Sequence, residues 1–106
     1  MKFTELNPRF VGSGGEGITD KDGNPVPERK GIGVSFDCPC GSKDCRRAFI
    51  QFSNPMDGGA PIDADGRHTW QRSGDTFETM SLTPSIQRMD NCRWHGFITN
   101  GEVIKC

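Results

Sequence analysis

The chain has 106 residues, of which 32% are hydrophobic and 14 are glycine, and its formal net charge is −1. That length allows one small domain with a thin apolar core, the kind that calls for a cross-link. The balanced charge and a pI of about 6.1 exclude the broadly basic surface of a general nucleic-acid or membrane binder.

Residues 2–6 and 9–11 read as short extended pieces interrupted by Pro8. Residues 12–30 carry five glycines, two prolines and seven charges, so a mobile loop or an exposed hairpin is expected there. Asp20, Asp22 and Asn24 begin like a calcium loop, but Pro25 stands where that motif needs its turn glycine. Residues 31–36 form a strand leading into Cys38-Pro39-Cys40-Gly41, and residues 47–52 form the return strand. Residues 53–67 are again rich in Gly, Pro and Asp and read as a long surface loop. Strands are expected at 68–72 and 76–82, with Pro84-Ser85-Ile86 breaking the second. The clearest local signal is at the C-terminus. Residues 94–98 and 102–105 flank Asn100-Gly101, a turn pair that tolerates positive φ in tight hairpins. His95 and Phe97 alternate with Trp94, Gly96 and Ile98, so one face of that hairpin can carry the metal ligand and the other an apolar surface. Residues 1–106 thus form a single, mostly β domain of short antiparallel strands and long loops, ending in a β-hairpin.

Five cysteines are an odd number, and the first residues contain no apolar run resembling a signal peptide. Both facts favour a reduced, cytosolic chain that uses thiols as metal ligands. Cys38 and Cys40 form one close pair, and Cys92 and His95 form another. Three thiolates and an imidazole would close a tetrahedral zinc shell, one ion per chain, and staple distant parts of the fold. A full thiolate-rich shell is a poor Lewis acid, so no catalytic residue is assigned. Neither histidine sits in the His-x-Glu context of a zinc deaminase. The alternatives are a small metalloenzyme on the same residues and a Rieske-like iron–sulfur site that would have to recruit His68.

The string CRWHGFITNGEV at residues 92–103 resembles the C-terminal signature of a group of small tailed-phage and prophage proteins of unknown function, often labelled "ammonia monooxygenase". Further matches are Pro8-Arg9-Phe10-Val11, Gly31-Ile32, Trp70 with Ser73-Gly74, and Leu82-Thr83-Pro84-Ser85-Ile86. The resemblance implies a small phage-encoded, metal-binding protein in the cytoplasm of the infected host, not an oxygenase. The family usually has C-P-x-C at the first pair, whereas this chain has Cys38-Pro39-Cys40 and then Cys45. Cys45 is therefore an alternative to Cys40 as the fourth ligand.

Lys43, Arg46 and Arg47 follow the first pair, while Arg88 and Arg93 surround the second. Brought together by a metal, they would form a basic rim able to hold an acidic partner. The expected function is that of a non-enzymatic accessory protein binding a host or phage protein, with a host-defence component as the first candidate, and no membrane. A nucleic-acid-binding zinc module is the rival.

Overall fold

The fold was analysed in a computed structural model, which describes residues 1–42, 44–59, 69–88 and 92–106. It is mostly β. A three-stranded sheet has the order β1 (Arg9–Ser13), β2 (Arg29–Phe36), β3 (Ala48–Gln51). A four-stranded sheet has the order β4 (Gln71–Ser73), β5 (Ser81–Gln87), β6 (His95–Thr99), β7 (Glu102–Lys105). All neighbouring strands are antiparallel.

A single core draws on both sheets. Val34, Phe36 and Ile50 contribute from the first, and Leu82, Ile86 and Ile98 from the second. Phe3, Phe52 and Met80, all at 0% exposure, fill it from the connecting segments. The sheets are joined where Phe52 bridges Trp70 in parallel, with Ser53 N–H donating to the Trp70 carbonyl at 2.8 Å.

Residues 2–6, expected to be extended, contain a 3₁₀ turn at Phe3–Leu6. Side chains three residues apart eclipse in such a turn, so Phe3 and Leu6 enter the core together. The Glu5 carboxylate accepts from Lys2 N–H at 2.6 Å and closes the start of the turn.

Residues 12–30 are an exposed hairpin. Its legs are the ends of β1 and β2, and its tip is tied by Gly15 N–H to the Val26 carbonyl at 2.9 Å and by a Thr19–Pro25 bridge. The expected strand at 76–82 begins only at Ser81. Thr76 to Thr79 form a turn, closed by Thr79 N–H to the Thr76 carbonyl at 3.2 Å. Pro84-Ser85-Ile86 does not end that strand either. β5 runs on to Gln87 because Pro84 falls in a bulge, where the missing N–H costs no ladder hydrogen bond. The expected strand at 68–72 is seen as β4 with Trp70 before it, while His68 lies outside the described residues.

The C-terminal hairpin forms as its turn chemistry dictates. Asn100 and Gly101 have φ of 48° and 76°, the pair of left-handed conformations that a tight turn between twisted strands needs. The turn is anchored by Gly101 N–H to the Met80 carbonyl and by Asn100 N–H to Ser81 Oγ, both at 2.8 Å. Trp94, Gly96 and Ile98 face the core, and His95, Phe97 and Thr99 face outward. Among the described residues no helix is long and apolar enough to cross a membrane.

Candidate functional site

Two clusters flank the strand β6. The first is a group of four thiols, Cys38, Cys40, Cys45 and Cys92, whose sulfurs all lie within 4.8 Å of one another. Cys38 and Cys40 leave β2 on a tight turn closed by Gly41 N–H to the Cys38 carbonyl at 3.1 Å. Ser42 N–H donates to Cys40 Sγ at 3.3 Å. Cys45 arrives on the next turn, with its Sγ 3.5 Å from Cys40 Sγ. Cys92, just ahead of β6, closes the group at 3.4 Å from Cys38 Sγ.

The charge state of the group is uneven. Trp94 N–H donates to the Cys92 sulfur and lowers that thiol to about 7. Hydrogen bonding to Cys92 and Cys40 pushes Cys45 up to about 12. Burial raises Cys38, and Arg88 beside it pulls the other way. One sulfur is thus poised to carry charge while its neighbours donate to it, and a cation at the centre would release the remaining protons. Four sulfurs around one soft ion stand about 3.8 Å apart when each bond is near 2.3 Å, so only small adjustments are needed. The four cysteines can hold a metal ion.

Of the ligands expected from sequence, Cys38, Cys40 and Cys92 come together, and Cys45 joins Cys40 rather than replacing it. His95 stands outside the thiol group. Its Nε2 lies 2.9 Å from Ser85 Oγ.

That contact is the second cluster. Leu82 pairs with Ile98 and Ile86 with Gly96, so Thr83, Pro84 and Ser85 together face the single residue Phe97. Beyond the bulge the register runs Ile86 to Gly96 and Gln87 to His95, which puts Ser85 on the outward face beside Phe97 with His95 as its diagonal neighbour. Trp70 Nε1–H donates to the Ser85 carbonyl at 3.3 Å and holds the bulge from the β4 side. Behind His95, Gly96 leaves room for the Trp94 indole, whose Cζ2 and Cη2 would lie only 2.6 and 2.5 Å from a Cβ there. Cys106 N–H donates to the His95 carbonyl at 3.0 Å.

Ser85 and His95 are both half-buried, reachable from solvent yet held by their strands. Among the described residues, the serine–histidine hydrogen bond is that of Ser85 with His95. Ser35, Ser42 and Ser81 accept from Arg47, Asp44 N–H and Asn100 N–H, and Ser53 donates to Gln71. A cleft of about 440 Å³ opens beside Cys38 and Cys45, but neither Ser85 nor His95 lines it.

The basic residues are dispersed in role. Arg47 NH1 donates to Asp37 at 2.7 Å and its NH2 to the Asn7 carbonyl at 2.8 Å, so this guanidinium ties β3 to the N-terminal segment. Arg88 NH2 donates to the Arg46 carbonyl at 2.5 Å, which places both beside the thiols. Arg93 is exposed, with a left-handed φ of 48°. Lys43 lies outside the described residues.

Ser85 was not legible as a functional group in the sequence. It carries no nucleophile-elbow motif, and its partner is ten residues away on another strand. The signal present was the outward alternation of His95 and Phe97, read there only as a way to present a ligand.

No curated protein and no solved structure is similar enough to this chain to count as a match. A family model does match, over residues 18–106, and it is described as "Bacterial ubiquitination-like system serine protease (BubE)". The matched stretch contains both the four thiols and the Ser85–His95 pair, and it covers most of the chain: the protein belongs to the BubE family.

Proposed function

We propose that the protein is a serine peptidase of a bacterial ubiquitination-like system, with Ser85 as nucleophile and His95 as general base. One distance carries this: 2.9 Å from Ser85 Oγ to His95 Nε2, within reach for direct proton transfer. The family description supplies the reaction class. We favour it over the non-enzymatic binding role expected from sequence, because a half-buried serine within hydrogen-bond reach of a histidine has the geometry of an activated nucleophile.

In the acylation step the His95 ring proton resides on Nδ1 and Nε2 accepts the Ser85 hydroxyl proton. Oγ forms a bond to the substrate carbonyl carbon, and the carbonyl π electrons move onto its oxygen. As the tetrahedral species collapses, His95 returns the proton from Nε2 to the departing amine or alcohol, leaving an ester on Ser85. Water then attacks that ester with His95 again taking the proton, and the carboxylic acid leaves as Ser85 is restored. The bulge keeps Oγ on the solvent face, and the Trp70 hydrogen bond to the Ser85 carbonyl restrains the serine backbone.

The four thiols hold one zinc ion in this proposal. Four sulfur ligands fill a tetrahedral shell, so the ion cross-links the fold and leaves bond cleavage to Ser85 and His95. It ties the turn between β2 and β3 to the segment that enters β6 at His95.

A fluorophosphonate probe tests the assignment. Labelling should fall on Ser85 by peptide mass spectrometry, and Ser85→Ala should abolish it. His95→Gln should slow it by roughly 10³-fold or more, as expected for loss of a base that works in concert with its nucleophile. Labelling at another serine, or undiminished labelling in His95→Gln, overturns the proposal.

A further inference from the structure

We infer that Gln87 is the positioning residue of the pair: its side-chain carbonyl accepts the Nδ1 proton of His95 and holds the ring with Nε2 aimed at Ser85. The inference rests on the Ser85–His95 assignment and adds the group that sets the tautomer. His95 can take the Ser85 proton only when its own ring proton sits on Nδ1, and that proton needs an acceptor. The ring's hydrogen bond to Ser85 uses Nε2, and Nδ1 has no partner among the described residues. Gln87 is the direct cross-strand partner of His95, so the two side chains stand on the same outward face. Ser85 lies two residues earlier on the same strand and shares that face.

The ladder favours Gln87 over the neighbour on the other flank. Arg88 N–H donates to the Trp94 carbonyl at 2.7 Å. The adjacent pair, Gln87 with His95, is therefore of the kind that exchanges no backbone hydrogen bonds, in which facing Cα atoms approach to about 4.5 Å and side chains come closest. On the β7 side Cys106 N–H donates to the His95 carbonyl, which makes that pair the wider kind, about 5.5 Å. The bond to Ser85 also draws the ring towards β5 and away from β7. An imidazole bonded at both nitrogens spans roughly 7–8 Å from donor to acceptor, two hydrogen bonds with the ring between them. Ser85 and Gln87 are about 7 Å apart along the strand, and the exposed glutamine has length to spare. Its amide oxygen fixes the tautomer, and it shares the charge that the ring gains when Ser85 gives up its proton.

Two substitutions of matched length separate this role from strand bracing, read on the full chain with a fluorophosphonate probe and by nitrogen-15 NMR. Gln87→Met keeps the length and loses the acceptor, whereas Gln87→Glu keeps both. Gln87→Met should slow the maximal rate of Ser85 modification roughly tenfold, the rate equivalent of one hydrogen bond, with the probe's apparent affinity unchanged within about twofold. Gln87→Glu should be modified at least as fast as wild type. At alkaline pH the nitrogen-15 shifts of His95 should place the proton on Nδ1 in wild type and in Gln87→Glu, and should move towards the Nε2–H form in Gln87→Met. A residue that merely braces the strand would make the Met and Glu variants behave alike. Equal rates in those two variants, or a His95 tautomer unchanged in Gln87→Met, overturn the positioning role, while wild-type labelling at Ser85 leaves the serine assignment standing. Absence of Ser85 labelling in wild type overturns both.

Discussion

Gly96→Ala probes the link between packing and the candidate site. A Cβ at this position would meet the Ile104 carbonyl of β7 and the Trp94 ring atoms Cη2 and Cζ2 at 2.5 and 2.6 Å. Ordinary contact begins near 3.4 Å, so the indole must retreat by about 1 Å in a core packed to crystal density. Trp94 is only 6% exposed, so its retreat disturbs the core side chains packed around it. Overpacking of this kind costs about 1–3 kcal/mol, and the simultaneous clash with backbone places this site at the upper end. At about 4 °C per kcal/mol for a domain of this size, the melting temperature should fall by roughly 12 °C. Urea unfolding at constant metal content is the assay, with the intrinsic fluorescence of Trp70 and Trp94 as the readout. Trp94→Phe removes the two offending ring atoms but not the carbonyl clash. In the double variant it should therefore recover part of the loss, with a coupling of about 1 kcal/mol or more. A Gly96→Ala variant within about 0.5 kcal/mol of wild type, or strict additivity with Trp94→Phe, would refute the packing argument.

Other consequences are equally direct. Serine substitution at Cys38, Cys40, Cys45 or Cys92 should release the metal by mass spectrometry, whereas Cys106→Ser and His95→Gln should retain it; metal loss in His95→Gln would contradict the four-thiol set. Trp70→Phe deletes the hydrogen bond to the Ser85 carbonyl, worth about 1 kcal/mol, and should slow Ser85 labelling several-fold with little change in the apparent affinity for the probe. Arg29 holds Asp57 near 2 against an ordinary 3.8, so the ion pair stabilises the fold fully above pH 3.8 and is lost as pH falls towards 2. At about pH 3.0 the Asp57 carboxyl should still show a carboxylate carbon-13 shift in wild type but be largely protonated in Arg29→Gln; identical shifts in the two proteins would disprove the coupling.

What the sequence determined by itself is local. Asn100-Gly101 specifies its hairpin because the conformational preference resides in the two residues themselves. The alternation from Trp94 to Ile98 assigns inward and outward faces because the strand period is set by the backbone. Cys38 and Cys40 share a turn whatever the rest of the chain does. The tertiary structure decided which distant groups meet. Whether Cys45 joins Cys40 depends on how the turn before β3 folds over Cys92, and no spacing rule encodes that. Ser85 meets His95 only because burial of Leu82 and Ile86 on one side of Ile98 and Gly96 forces the extra residues of β5 into a bulge around Pro84. The same proline, read along the chain, looks like the end of a strand. Read across the sheet, it is the place where the ladder gives way and turns Ser85 towards His95. Register between strands follows from which side chains can be buried together, and that is a property of the folded core rather than of any segment within it.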